Sequence, residues 1–485
     1  SKRLGFDGKD EDLLRRACSD FGVGKADMWR LPAKYVGPYA EYDAELPILI
    51  LRKQEKVIFS EGLDGIYDLE SRLIPVLCSM TVRGVKIDVH KLAWIDDWAK
   101  QTQESCLEEI ACKTGIQLGK GDCTTTSAVL PLLKHLGIKA PLTADGNPSV
   151  TIPFLERYES DDLIKTLLRA RRFDTISNTF VKPTIKHLVG DRIHCTFHQL
   201  RSEKGGTITG RLSASDTNLQ NQPARDPEIA PIWRSIYLPD KEMFCSADYS
   251  QQEPRIMVHY AEACRDKFGN KFKGAEKAGN SYRENPDTDF HQMMADMTGL
   301  PRKQAKGLFL GMVYGMGGGK LCETLGLPVK YETRFRGEEK EHTFSKAGHE
   351  GESIIKQFHE KVPFVRQLVY KVQDRVKQEG SLRTLLGRRR NFPLKDNGAY
   401  DWLHKALNSL VQGSAADQTK MAMVSLADAG FDLQLQVHDE VDLSIDTIDE
   451  GREVKRIMEN CAPLSVPSKV DLEVGRNWGE VQEIE

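Results

Sequence analysis

A chain of 485 residues is too long for one compact hydrophobic core, so two to four domains are expected. With 40% hydrophobic and 29% charged residues the composition is that of an ordinary soluble protein, and no apolar run approaches the roughly 20 residues of a membrane helix. The net charge of -3 excludes a chain-wide basic field, so any nucleic-acid surface must be local. The 10 cysteines are scattered singly, without Cys-x-x-Cys or zinc spacing, so reduced thiols in a cytosol-like compartment are expected. The opening Ser1-Lys2-Arg3-Leu4 does not read as a signal peptide, and the lack of Met there suggests a processed or excised chain.

In chain order, residues 1–55 are mixed in pattern, and Tyr39 and Asp43 would lie one turn apart on a helix face. Leu69, Leu73, Val76, Leu77 and Met80 recur at helical spacing, Arg83-Gly84-Val85-Lys86-Ile87-Asp88 breaks that helix, and a second begins near His90. Thr124-Thr125-Thr126-Ser127 can cap another. A further helix carries Lys165, Arg169, Arg171 and Arg172, followed by Lys182 and Lys186. Such cations can grip phosphates without sequence choice, although for any one of them a solvated face is the commoner role. Phe244-Cys245-Ser246-Ala247-Asp248 reads as a strand ending in a carboxylate.

Pro301-Arg302 opens a helix to about Tyr314, on which Arg302, Lys306, Leu310 and Tyr314 share one face. Its first turns offer cations to a triphosphate and its end offers apolar and aromatic surface to a base. A polar, charged stretch spans roughly 329–351. Arg388-Arg389-Arg390 is either a DNA contact or a solvated loop. Leu433, Leu435 and Val437 lie on one side of a strand, followed by Val441, Leu443 and Ile445, which predicts a hairpin with His438-Asp439-Glu440 near its turn. Asp248 and Asp439 could then bridge two Mg²⁺ ions about 3.5–4 Å apart. Either acid alone would more readily be a turn or surface residue.

Three strings in this order resemble the polymerase signatures of family A DNA polymerases, the group of bacterial DNA polymerase I and many phage replicases. They are Ala247-Asp248-Tyr249-Ser250-Gln251-Gln252-Glu253-Pro254-Arg255, then Arg302-Lys303-Gln304-Ala305-Lys306 running to Tyr314-Gly315, then Gln436-Val437-His438-Asp439-Glu440. The resemblance extends from about Tyr39 to the C-terminus. It implies an α+β multidomain right hand with an antiparallel-sheet palm, helical fingers and a helical thumb. Residues 1–55 would be the end of a truncated exonuclease-like domain, because Tyr39-Ala40-Glu41-Tyr42-Asp43 resembles its last motif and no strand-borne Asp-x-Glu precedes it. A plain surface helix is the alternative. Residues 56–199 would be thumb, 200–262 and 395–485 palm, and 263–394 fingers. The 329–351 stretch, which the bacterial pattern lacks, would be an inserted loop or small subdomain of the fingers.

The resemblance also implies roles. Asp248, Asp439 and the backbone carbonyl of Tyr249 would hold two Mg²⁺ ions, with Mn²⁺ able to substitute, and Glu440 would support them. Arg302 and Lys306 would hold the β- and γ-phosphates, with Lys306 also donating a proton to departing pyrophosphate. His291 would touch the triphosphate, although without this context a helix-cap or core role would win. Gln251, Leu310 and Tyr314 would complete the nucleotide site. Glu253 would close the space beside the sugar 2′-carbon, which favours DNA over RNA synthesis. Arg211, in Thr209-Gly210-Arg211-Leu212-Ser213, and Asn218, in Asn218-Leu219-Gln220-Asn221-Gln222-Pro223, would contact primer–template near its growing end. Asn408 and Gln412 would read the minor groove, whose acceptors are common to all pairs, and His438 would touch the primer terminus.

The chain departs from the pattern at Leu310, where most relatives have Phe or Tyr, and altered discrimination against chain-terminating sugars is expected. Leu there mildly favours a phage origin. Gln252 and Pro254 replace the commoner Ile and Leu, and Pro254 fits if it lies in the first turn of a helix. The implied activity is template-directed addition of dNTPs to a primer, in replication or repair, with little proofreading. The implied partners are primer–template DNA and dNTPs, with any helicase, primase or processivity factor unspecified. A monomer in bacterial or phage-infected cytosol, away from membranes, is expected, and a processed organelle form stays open. A related RNA polymerase, a non-catalytic DNA-binding relative and a nuclease are the competing readings. Glu253, the retained Asp248, Asp439, Arg302, Lys306 and Tyr314, and the incomplete exonuclease motifs respectively argue against them.

Overall fold

The computed structural model describes residues 11–484, apart from 144–145, 201–205, 225, 269–271 and 336–340. Ser1 to Leu4 therefore lie outside the described residues.

At the centre is an antiparallel sheet of β1 (Met243–Tyr249), β2 (Leu433–Val437), β3 (Glu440–Ile445), β4 (Val470–Gly475) and β5 (Val481–Glu483). The order is β2-β3-β1-β4-β5, which puts β1 in the middle. On one side of β1, Glu440 pairs with Asp248 and Asp442 with Ser246. On the other, Asp471 pairs with Asp248 and Glu473 with Ser246. Side chains alternate along a strand, so all of these polar groups share one face. The opposite face is apolar. Cys245, Ala247, Val441, Leu443, Val470 and Leu472 pack there in one cluster with Leu69, Leu73, Met423, Leu426 and Met458. Those partners come from the helices Asp64–Arg83, Ala406–Asp428 and Ile448–Asn460. Burial of each large aliphatic side chain contributes roughly 1.5–3 kcal/mol, and this face seats the polar one.

The hairpin β2–β3 forms where the sequence predicts it, but its patterning needs correction. The register shifts between Leu433 and Leu435. Leu433 therefore joins the helix-side cluster, while Leu435 and Val437 join a second cluster with Phe244, Tyr237 and Trp478. A bulge of this kind sends successive residues to different faces. Both faces of β2 are covered, so Gln434 and Gln436 are buried and bonded: Ser444 Oγ donates to Gln434 Oε1 at 2.8 Å and Gln220 Nε2 to Gln436 Oε1 at 2.6 Å.

The N-terminal part is helical. The Asp64–Arg83 helix buries the stripe read from sequence and stops at Gly84, whose φ is 64°. Gly84 lies against the His194 ring and the Ile193 carbonyl, where a Cβ would come within 2.8 Å. Asp88 then caps Val89–Thr114 by accepting from Lys91 N at 2.9 Å. The threonine cap expected for the next helix is not made. Thr125 precedes Thr126–His135 without a capping bond, and its hydroxyl donates to Gly121 O instead. The basic helix, Asp162–Thr175, also departs from expectation. Arg171 is buried and donates to the Cys123 and Val150 carbonyls, while Arg169 pairs with Glu228 and Arg172 with Asp226. Arg171 thus ties loops together, a role that burial creates and sequence does not reveal.

Helices from Gln252–Phe268 to Pro363–Glu379 enclose another core built on Phe290, Phe309, Phe358 and Phe364. Pro254 sits in the first turn of its helix, where its missing N–H costs nothing. The 329–351 stretch contains two antiparallel strands, Val329–Phe335 and Glu341–Ala347. They rest on Gly318–Thr324, where a Cβ on Gly319 would meet the Ser345 carbonyl at 1.9 Å.

Candidate active site

His438 and Asp439 form the two-residue turn between β2 and β3, and His438 adopts φ 60°, the left-handed conformation such turns use. Tyr249 N donates to Asp439 O at 3.3 Å, which locks the turn to the end of β1. Asp248 and Asp439 thus meet at the mouth of a cleft of about 860 Å³, also lined by His438, Glu440, Asp471, Glu473 and Arg234. The Asp248 side chain opens to this cleft, yet protein surrounds it. Burial, and then Asp439, Glu440, Asp471 and Glu473, push its pKa up to about 8. Burial also raises Asp439, although Arg211 and His438 act against it. The Tyr249 side chain faces away, its hydroxyl donating to Met458 O at 2.7 Å, so only its backbone borders the carboxylates. Glu440 Oε1 accepts from Ser246 Oγ and Trp478 Nε1, each at 2.8 Å.

A second group converges from four separate segments. Arg211 Nη2 donates to Glu253 Oε1 at 2.5 Å, and the Tyr314 hydroxyl donates to Glu253 Oε2 at 3.3 Å. Gln412 reaches the same tyrosine hydroxyl. Burial raises the pKa of Glu253, with Arg211 acting against that rise. Asn408 lies one turn before Gln412 on the Ala406–Asp428 helix, and its buried Oδ1 has no partner among the described residues. Gly315 follows Tyr314 with φ 67°, and a Cβ there would strike the His404 carbonyl at 2.0 Å.

The Arg302–Val313 helix carries the cations as predicted. Arg302 makes two bonds to Asp289 Oδ2, from Nε at 2.7 Å and Nη2 at 2.6 Å. The other Asp289 oxygen accepts from His291 N and Gln292 N and caps the Phe290–Thr298 helix. His291 is buried and its Nδ1 has no partner among the described residues; burial and then Lys306 push its pKa down to about 4, so it is neutral at pH 7. Lys306 itself is exposed, and Leu310 is half-buried against the Phe309 core. Gln251, at φ 52°, turns its side chain onto the start of the Phe290 helix: Oε1 accepts from Phe290 N at 2.8 Å and Nε2 donates to Thr288 O at 3.1 Å. That side chain thereby ties the end of β1 to the start of the helix that carries His291. Asn218 stands apart in a side recess with His187 and Thr217, joined to the main cleft through the shared walls Asn221 and Gln222.

Residues 124–480 match the family model described as DNA polymerase family A. The chain belongs to DNA polymerase family A. A DNA-directed DNA polymerase of Pseudomonas phage M6 is 44% identical over 99% of this chain and 76% of its own. DNA polymerase DpoZ of Vibrio phage phiVC8 is 30% identical over 94% of this chain and 73% of that protein. The thermostable DNA polymerase I of Thermus filiformis is 29% identical over 93% of this chain and 53% of that one. The fold is shared with the polymerase domain of Pol1 from M. smegmatis, solved in complex with DNA primer-template and dNTP: TM-score 0.72, 23% identity, covering 98% of this chain and 80% of that one. No helix of this family A polymerase, among its described residues, is long and apolar enough to cross a membrane.

Sequence reading missed several groups at the site of this polymerase. Asp471 and Glu473 join the cleft only because β4 pairs with β1, Ser246 reaches Glu440 through the β3–β1 register, and Trp478 reaches it from the turn after β4. The alternation of Val470, Leu472 and Val474 with Asp471 and Glu473 was the available signal.

Proposed function

We propose that this chain extends a primer 3′ end with deoxynucleotides along a DNA template, releasing pyrophosphate. The observation that carries the reading is the meeting of Asp248 and Asp439, from distant segments, at the tip of a locked hairpin. Burial, and then the opposing charge of Asp439, disfavours the ionised Asp248 carboxylate, and a bound cation would offset both. Among the described residues no three metal-ligating side chains form a closed cage. Mg²⁺ suits such an open site, because it binds through few carboxylates plus substrate oxygens and water. Asp248, Asp439 and the Tyr249 carbonyl are the groups that would hold two Mg²⁺ or Mn²⁺ ions. When bound, the ions would activate the primer hydroxyl and neutralise triphosphate charge.

The remaining work falls to the protein's own groups. Lys306 and Arg302 take the phosphates, Arg302 exchanging its Asp289 pair for them, and Lys306 supplies a proton to the leaving pyrophosphate. Neutral His291 beneath them adds a hydrogen bond without adding charge. Glu253, held by Arg211 and Tyr314, fills the space beside the sugar 2′-carbon, where a ribose hydroxyl would clash. Leu310 presents an adaptable apolar surface to the sugar. His438, Asn408 and Gln412 face the primer terminus and the minor groove, and Asn218 the strand behind it. In this reading 200–262 and 395–485 are the palm, 263–394 the fingers and 56–199 the thumb. Tyr39 and Asp43 lie on the helix Ala33–Ser60, and residues 11–60 hold no strand, which supports the absence of a complete exonuclease site there.

The test is extension of a labelled primer on a defined template, with dNTPs or NTPs, with and without Mg²⁺. Mg²⁺-dependent products in the template's order, from dNTPs alone, are expected. Extension from NTPs alone would move the chain to RNA synthesis, and DNA binding without extension would make it a binding relative.

A further inference from the structure

The proposed metal centre contains a third carboxylate, Glu440, placed between two like charges. It follows Asp439 directly and faces Asp248 across the β3–β1 pair. A carboxylate left free there could swing in as an unwanted ligand or push the other two apart. Instead one of its oxygens is held twice. Ser246 Oγ donates to Glu440 Oε1 at 2.8 Å from the neighbouring strand, and Trp478 Nε1 donates to the same oxygen at 2.8 Å from the turn between β4 and β5. Both donors are neutral, so they hold the charge without adding a competing cation.

Trp478 is built to stay where it is. It is 1% exposed, its backbone N–H donates to Tyr237 O at 3.2 Å, and its ring meets Tyr237 edge-on at 5.3 Å and stacks on Phe244 at 6.4 Å. The Arg234 guanidinium covers it at 4.1 Å, and Arg234 itself lines the cleft. Next in sequence, Gly479 presses on the end of the Ala230–Arg234 helix so closely that a Cβ would lie 2.1 Å from the Pro231 carbonyl. That approach fixes the backbone next to the indole. A buried indole N–H needs an acceptor, and the one it meets here is a carboxylate beside the proposed reacting centre.

We infer that Trp478 is a positioning residue for nucleotide addition, acting through Glu440 to fix the carboxylate arrangement that receives the metal ions. This inference rests on the polymerase reading above. Partners of metal-bound carboxylates typically change metal affinity or activity by about 10–100-fold when removed. Trp478→Phe removes the N–H and keeps most of the ring. Its single-turnover insertion rate should fall about tenfold, and the Mg²⁺ concentration for half-maximal rate should rise. Primer–template affinity and the nucleotide KM at saturating Mg²⁺ should stay within about twofold of wild type, because Trp478 lies outside the surfaces that would take either.

The deciding experiment is a double-mutant cycle with Glu440→Gln, read by single-turnover rates, which remain measurable over several decades. Because Trp478 acts through Glu440, Trp478→Phe should have little further effect in the Glu440→Gln background. An equal loss in both backgrounds would mean a general packing role and overturn the inference, as would a wild-type rate in Trp478→Phe. Ser246→Ala removes the second donor without touching the aromatic cluster and carries the same cycle if the Phe variant folds poorly. Failure of the wild-type chain to extend a primer with Mg²⁺ and dNTPs would overturn the polymerase reading itself, and the inference with it.

Discussion

His291 shows how one buried side chain can be tuned without any charged partner on its ring. Burial and the nearby Lys306 move its pKa from 6.5 to about 4. The unfolded chain takes up this proton near pH 6.5 and the folded chain only near 4, so between those values the unfolded state binds more protons. The contribution of neutral His291 to stability is therefore complete above pH 6.5 and lost as pH falls towards 4. His291→Gln should flatten the fall in urea-unfolding midpoint between pH 6.5 and 4, and an unchanged slope would contradict the assignment. At this scale the sequence was informative wherever a residue belonged to a motif. Asp248, Asp439, Arg302, Lys306 and Tyr314 could be named because their neighbours in the chain carried the resemblance. Trp478, Ser246, Asp471 and Glu473 could not, because the fold alone brings them to the site. Gln251 was named from its motif, but the direction of its amide, bonded to Phe290 and Thr288, is decided by strand–helix geometry.

Among the elements, the hairpin turn between Ser381–Arg383 and Arg389–Asn391 has a role its sequence disguises. Arg388 reads as a cation for DNA or for solvent, yet it is largely buried. It pairs with Asp417 at 2.7 Å and with Glu70, and Lys420 also bonds Glu70 at 2.7 Å. This network joins the Asp64–Arg83 and Ala406–Asp428 helices through the turn. Arg388 also lies against Gly210, beside the Arg211 that holds Glu253. Breaking a buried pair leaves an uncompensated charge, here Asp417, which is fully buried. Arg388→Met should cost about 3–5 kcal/mol in denaturant unfolding, and Asp417→Asn in that background should recover part of it. A loss below about 1 kcal/mol would mean the pair behaves like an exposed one. Helix positions were legible from apolar spacing, as along Leu69, Leu73, Leu77 and Met80. Misreadings came where charge was taken for exposure, at Arg171 and Arg388, or where a bulge shifted the alternation between Leu433 and Leu435. Periodicity reports which face is apolar; it is silent on which polar groups the next layer will cover.

For the whole molecule, the net charge of -3 conceals a strong local division. One face of the central sheet carries Asp248, Glu440, Asp471 and Glu473, while Lys306 and Arg302 come from the helical layer. The sheet's apolar face anchors both the Ala406–Asp428 helix and the N-terminal Asp64–Arg83 helix, so segments far apart in sequence are held to one rigid platform. This architecture was legible from the order of three motifs, not from local patterning, which could predict strands and helices but not that β4 would flank β1. Rigid placement of the carboxylates is the central claim, since positioning and charge neutralisation supply most of the catalysis in phosphoryl transfer. The most direct test is the single-turnover rate of nucleotide insertion by Asp439→Asn, with primer–template affinity and melting temperature measured on the same protein. The amide keeps the shape of the side chain and removes a charge that burial already disfavours, so melting temperature should hold or rise. The insertion rate should fall by at least about a thousandfold while DNA affinity changes little. A rate within about tenfold of wild type would mean that Asp439 does not hold the metal ions, and the proposed centre would have to be abandoned.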